Sequence, residues 1–580
     1  MSAGPSLVGS VERRHDLDAL RAFAMLLGIA LHAALPYAPG FPWVIRDSQT
    51  RDVFAMLFLS IHGFRMPLFF LISGFFTAMI WRQKGLRELL RQRAIRIFIP
   101  CLLGTFTILP LMTWIGGRVT VVGEGVVGVE GVREAGVDAG AGVRGEPDPA
   151  VLALEAIRAR DLLKLSEQIS GGVGADAVDP EFGCRLLAWA AMHGDVDASR
   201  LLLDSGADLD GRNVDGSTAL HCAVFTGHPE VVRLLLDRGA DIFAVNGRGE
   251  IPVEAARADA RSTEFLWGLL GLPGRTPEDV VSGRGASIAM LSAVADGVPG
   301  IAVGVRVWVD SVRSGYREFL TASMWQIPSV TGSGEPLNLF FSPVFGHLWF
   351  LWFLCWLAVG IALVVTVARC LSVRGSRWLA VAARILTVSR WKLLFVVPTA
   401  GAMVLMGLFG PSFGPDTSMG LIPQPHVLFY YGLFFLFGCL YFVADDRDGR
   451  TGRFWLLSIG VAMFGLLPAH FAVGESRLAS AVIEALYAWL MSFGCLGVFR
   501  RFLSHPRVWI RWLSDSSYWL YLTHLPVLFV LQAPLRGLEI SPWIKFGGSS
   551  VLCTAILLIV YRYGVRYRWL GVLLNGRRRR

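Results

Sequence analysis

Charge is scarce in this 580-residue chain: Asp, Glu, Lys and Arg make up 17% of it and apolar residues 54%, with a mean hydropathy of +0.53. Soluble domains carry roughly 25% charged residues, so a wholly soluble globular protein is excluded. Metal-type cysteine spacing is missing as well. The eight cysteines, Cys101, Cys184, Cys222, Cys355, Cys370, Cys439, Cys495 and Cys553, form no CxxC pair. They read as small buried apolar residues, and no metal site is expected. No basic-aromatic surface motif accompanies the net charge of +9, which argues against nucleic-acid binding. A signal-peptide cleavage site is lacking too. Arg13 and Arg14 precede the first apolar run, but Asp18, Arg21 and His32 interrupt it and no small-residue site follows, so the run is expected to remain as a first helix.

In place of charge there are long apolar runs. A helix of about 17 to 25 apolar residues crosses a bilayer core with every backbone polar group paired internally. Such runs lie near 18–38, 53–80, 97–115, 347–368, 393–409, 427–443, 454–472, 479–499, 517–533 and 547–565. The expected fold class is therefore all-α, a polytopic membrane helix bundle of about ten spans. Basic residues alternate accordingly. Arg82, Lys84, Arg87, Arg91, Arg93 and Arg96 follow the second run; Arg369, Arg374, Arg377, Arg384, Arg390 and Lys392 follow the fourth. The turns after the sixth and eighth runs and the C-terminal Arg577–Arg580 share that parity. Lys and Arg collect on the cytoplasmic side, which predicts cytoplasmic termini.

The hydrophobic pattern stops after the third run. A Gly/Val-rich stretch, VVGEGVVGVEGVREAGVDAGAGVRG, has no helical period and reads as a linker. Beyond it the sequence repeats every 33 residues, with Gly183, Gly216 and Gly249 in register and LLLDSGAD at 201–208 matching LLLDRGAD at 234–241. DGSTALHCAVFTGHPEVVRLLLDRGAD resembles the ankyrin consensus, so a small inserted solenoid is expected, a binding module for an unknown protein partner. His221 stands at the consensus histidine that caps a turn. The predicted division is 1–117 membrane, 118–150 linker, 151–272 ankyrin repeats, 273–339 connector and 340–580 membrane. Parity places the insert outside the cytoplasm. Residues 286–309 are apolar but contain Asp296, Pro299 and Arg306, so they are expected to form an amphipathic or packed helix rather than a span.

Ionisable residues inside membrane helices are costly and face cavities, which makes them functional candidates. In LDALRAFAMLLGIALH, Arg21 and His32 are eleven positions apart, returning to within about 20° of one face and separated by roughly 16 Å along the axis. Asp18 lies one turn before Arg21. A neutral imidazole in a polar cavity can take a proton from a hydroxyl attacking a thioester, which suits acyl transfer; on spacing alone a structural role for both residues weighs equally.

The arrangement Arg, ten residues, then His in the first helix resembles the signature of the acyltransferase-3 family of membrane acyltransferases. FRMPLFFLISGFF at 64–76, RELLRQRAIRIFIP at 87–100, GHLWFLWFL at 346–354 and SDSSYWLYLTHLP at 514–526 are similar to other segments of that family, nearest its glucan-succinylating branch. The resemblance implies a bacterial inner-membrane O-acyltransferase. It would use acyl-CoA as a cytoplasmic co-substrate, with no bound cofactor, and a glycan hydroxyl on the other side as acceptor. Arg93 and Arg96, the RxxR turn, would meet coenzyme A phosphates. Arg21 would orient the donor or stabilise the oxyanion, and His32 would be the base. An acid of the first loop, Asp47 or Asp52, and Arg65, Ser73, His347, Tyr518 and His524 are candidates for the acceptor side. His62, His426 and Glu484 are weaker ones. A carrier or flippase would favour paired halves with broken helices, which are not found, and a membrane-anchored ankyrin scaffold would leave Arg21 and His32 dispensable.

Overall fold

Apolar runs long enough to cross a bilayer fold as helices in the computed structural model, which describes residues 14–39, 43–123, 149–179, 182–247, 250–256, 276–296, 309, 312–313, 315–317, 319–327, 337–370, 376–407, 413–473 and 476–576. The chain divides into two units, Met1–Val132 with Ser314–Met406 and Phe413–Arg580, and Arg133–Arg313 with Gly407–Ser412.

In the first unit eight helical segments among the described residues are long and apolar enough to span a membrane. They begin with α1 (His15–Ala34). The second segment, Asp52–Ile115, has 64 residues, twice what one crossing needs. It is made of α2 (Asp52–Arg93) and α3 (Ile99–Gly123), joined by the π-helical turn Ala94–Phe98. Gly85, with φ +81°, breaks α2, and beyond it the chain folds back: Arg93 hydrogen-bonds the Thr77 hydroxyl, which a straight helix would hold about 24 Å away. This segment therefore counts as two spans. The others are α4 (Trp349–Cys370), α5 (Pro425–Ala444), the stretch Trp455–Ala472, α6 (Arg477–Phe502), α7 (Val508–Gln532) and α8 (Pro542–Val560). The fifth expected run, 393–409, forms a shorter element, a six-residue 3-10 turn Arg390–Phe395 leading into the nine-residue helix Val396–Val404. Its buried Thr399 hydroxyl accepts a hydrogen bond from Trp489 Nε1 of α6 at 3.0 Å.

Lipid gives helices no hydrophobic reason to associate, so close packing has to hold them. In α2 and α5, Gly74 and Gly438 supply it. A Cβ on Gly74 would collide with the Phe435 carbonyl, and one on Gly438 with that of Leu71, so the two backbones touch. Helix α1 is enclosed by α2, α6, α7 and α8. Outward-facing Phe106, Phe464 and Val551 leave apolar surface where lipid would lie.

The second unit is a solenoid of helix pairs: Pro149–Ala159 with Leu162–Ser170, Leu186–His193 with Val196–Asp204, and Ala219–Thr226 with Pro229–Asp237. Gly194 and Gly227, one period apart, end the first helix of successive pairs in left-handed conformation, which only glycine adopts without strain. His221 caps as expected: its Nδ1 accepts from the Thr218 backbone N–H at 3.2 Å, and its Nε2 donates to the Glu250 carbonyl of the next turn at 2.8 Å. The first half of 286–309 falls within the helix Pro277–Asp296, which packs on the last pair and closes the stack. Arg284 donates to the Phe225 carbonyl at 2.8 Å, and Gly283 lies too close to the Gly227 carbonyl to carry a side chain. Residues 297–308, the linker from 124 onward and Gly249 lie outside the described residues.

Candidate active site

Three helices bring the polar residues of the first unit together. On α1 the Asp18–Arg21–His32 stripe faces α7, whose 514–524 stretch runs beside it. Arg21 Nη2 donates to the Ser514 hydroxyl at 2.6 Å and to its carbonyl at 3.1 Å, and stands 3.7 Å from Asp18. At the other end His32 Nδ1 meets His524 Nε2 at 3.0 Å. Ser514 and His524 are ten positions apart and Arg21 and His32 eleven, so the two helices pair at both points.

Hydrogen bonding decides which nitrogen of each ring carries the proton in the neutral form. His524 Nδ1 lies 2.9 Å from the Tyr521 carbonyl and 3.1 Å from that of Leu520, both of which can only accept. Nδ1 therefore carries the proton and Nε2 is the acceptor. The bond to His32 then requires His32 Nδ1 to donate, which leaves a bare lone pair on His32 Nε2. Trp43 stacks on the His32 ring with centroids 5.8 Å apart and planes 15° off parallel. His347, at the start of α4, stands edge-on to His524 at 6.1 Å and points Nε2 at the Leu522 carbonyl, 3.3 Å away.

A cavity of about 560 Å³ opens beside Arg21 and Ser514. Arg14, Arg21, Arg93 and Arg96 line it together with Asp18, Asp515, Ser73 and Tyr518. Arg14 is paired with Asp16 at 2.7 Å, whereas Arg93 and Arg96 make no ion pair among the described residues. The cavity thus has an excess of cationic side chains, suited to an anionic ligand. Its lining also includes Met25, Phe69 and Tyr521. Each lies one turn from Gly28, Arg65 and His524 respectively, so the cavity runs along α1, α2 and α7 toward the histidines.

Other candidates sort differently. Ser73 and Tyr518, expected on the acceptor side, line the same cavity as Arg93 and Arg96. Asp47 is buried against Lys545 of α8 at 2.7 Å, both side chains 3% exposed or less, and its other oxygen accepts the Gln49 backbone N–H. That carboxylate clamps the first loop to α8 rather than facing an opening. Asp52 is exposed in the first turn of α2. His62 and Glu484 hold the segment after Phe413, where His62 Nε2 donates to the Pro415 carbonyl and Glu484 accepts from Gly414 N–H and Arg477, while His426 bonds Tyr316. Arg65 is buried beside α1, where a Cβ on Gly28 would collide with its Nη1. Sequence reasoning missed Ser514, Tyr521, Trp43 and Gly28. Ser514 and Tyr521 fall in the same polar segment as His524; Gly28, one turn before His32, carried no signal of its own.

Comparison with known proteins finds two families in the chain. An acyltransferase domain family matches residues 14–142 and 283–562, and ankyrin repeats in three copies match 154–246, so the repeats interrupt one membrane domain. Glucans biosynthesis protein C of Escherichia coli, from strain K12 and from O1:K1 / APEC, is 35% identical over 102 residues. That alignment covers 18% of this chain and 25% of the relatives. The matched part is thus about a quarter of their length.

Proposed function

This chain belongs to the acyltransferase-3 family of membrane acyltransferases, and we propose that it carries an acyl group, acetyl or succinyl, from cytoplasmic acyl-CoA to a hydroxyl of an extracytoplasmic glycan. The observation that carries the reading is an arginine-lined cavity whose wall includes Tyr521, one turn before His524 and its hydrogen bond to His32. Coenzyme A is an anionic, elongated donor. Arg93, Arg96 and Arg21 would hold its phosphates at the mouth, and the roughly 16 Å between Arg21 and His32 leaves room for its arm to bring the thioester to the imidazole. His32 Nε2, bare by its tautomer, takes the proton of the acceptor hydroxyl as that oxygen attacks the thioester carbon. His524 acts through His32: its Nε2 keeps the His32 proton on Nδ1 and fixes the ring. The acyl group then leaves on the acceptor while the thiol stays inside.

The alternation of basic turns supports an inner-membrane protein with both termini cytoplasmic and the ankyrin repeats outside, gripping a protein partner. The glucan relatives support a glycan acceptor. The test is label transfer from acetyl-CoA and succinyl-CoA to cell-envelope glycan in membranes carrying the wild type or His32→Ala at matched expression. Label that reaches glycan only with His32 intact establishes donor and base together; equal labelling by both proteins removes the base assignment, and no labelling by either removes the reaction.

A further inference from the structure

Arg65 is a cation within a membrane helix, more than nine-tenths buried, and among the described residues it forms no hydrogen bond and no ion pair; its Nε lies buried without a partner. Buried charges are normally paired, because an uncompensated one costs several kcal/mol. The other buried cation with a comparable position, Lys545, has Asp47 at 2.7 Å. Arg65 instead presses its Nη1 against Gly28, where only a glycine leaves room, one turn from His32 on the same helix. His32, His524, Tyr431 and Tyr521 stand within range of its charge. Phe69, one turn along α2, lines the cavity.

We propose that Arg65, rather than Arg21, holds the oxyanion of the acyl-transfer intermediate. The proposal rests on the acyltransferase reading above. An oxyanion donor has to lie about 3 Å from the oxygen it stabilises, and that oxygen is bonded to the carbon attacked beside His32. Arg21 is about three turns away along α1 and is held by Ser514, so it serves the donor end. In the step itself the acceptor oxygen bonds to the thioester carbon as its proton passes to His32 Nε2, and the carbonyl π pair moves onto oxygen facing the Arg65 guanidinium. Collapse of the intermediate breaks the C–S bond, and the imidazolium returns its proton to the departing thiolate. An imidazolium next to a fixed, unpaired guanidinium is disfavoured until the oxyanion forms between them. The charge of Arg65 therefore favours the transition state over the resting complex.

The experiment compares purified full-length wild type with Arg65→Met and Arg65→Lys, measuring transfer from labelled acetyl-CoA and succinyl-CoA to envelope glycan and, separately, retention of coenzyme A by the protein. For Arg65→Met the expected result is a fall in kcat of about 10²- to 10³-fold, donor KM within threefold of wild type and undiminished coenzyme A binding, with Arg65→Lys recovering part of the rate. A kcat within threefold of wild type overturns the assignment. Loss of coenzyme A binding in step with kcat also overturns it, placing Arg65 in folding or donor capture. A wild type that transfers no label overturns the reaction itself, a failure distinct from either.

Discussion

Replacing His524 with Phe keeps an aromatic ring in α7 but removes the acceptor that holds the His32 proton on Nδ1. The structure sets the size of the effect. One hydrogen bond of 3.0 Å between two neutral rings is lost, and a neutral hydrogen bond contributes a net 0.5–1.5 kcal/mol. If all of it serves to select the tautomer and orientation of His32, kcat falls about 2- to 13-fold. Removing the base altogether, as in His32→Ala, removes the proton transfer and costs about 10²- to 10⁴-fold. The assay is label transfer from acyl-CoA to glycan, with both single variants and the double variant at matched expression. Because His524 acts only through His32, the double variant should be no slower than His32→Ala. Gln at 524 places a carboxamide oxygen where Nε2 stood and should restore most of the rate. Full additivity of the two losses, or His524→Phe at wild-type rate, would refute the tautomer argument.

The buried Asp47–Lys545 pair joins the first loop to α8, so Asp47→Asn or Lys545→Met alone should lower stability by about 3–5 kcal/mol, read as an earlier thermal unfolding midpoint in detergent, and the double variant should recover most of it. Arg93→Ala and Arg96→Ala should raise donor KM with little change in kcat, whereas a kcat effect alone would move these residues away from the donor. Gly74→Leu should force α2 and α5 apart and lower the detergent melting midpoint, with Gly438→Leu acting alike; unchanged midpoints would deny the backbone contact. In the ankyrin unit, burial and the neighbouring Arg158 and Arg160 push the His193 imidazole down to about 4. The unfolded chain then binds a proton that the folded one refuses, so stability falls as pH drops from about 6.5 to about 4 and levels off below. Hydrogen exchange of the helices Leu186–His193 and Val196–Asp204 should report that loss in wild type and a smaller one in His193→Gln.

Helix periodicity, the 33-residue repeat and the spacing of Arg21 and His32 are local properties, and each could be read from the chain before any contact was known. Length and hydropathy sufficed for the long spans because a membrane helix satisfies its own backbone. They overstated the run at 393–409, where part of the segment winds as a 3-10 turn and the helix stops at Val404. His524 and Arg65 were both recognisable as polar residues in membrane segments. What neither segment contains is its partner. His524 meets His32 across 492 positions, Asp47 meets Lys545 across 498, and Arg65 reaches α1 only because Gly28 has no side chain. Which acid faces an opening and which is clamped depends on how helices pack side by side, and that packing is settled by contacts among residues far apart in the chain. The sequence by itself therefore determined the class of protein, its helices, its inserted repeats and the polar stripe of α1. Tertiary structure alone decided which nitrogen of His32 is free, that buried Arg65 makes no ion pair among the described residues, and that its guanidinium presses on Gly28, one turn from His32.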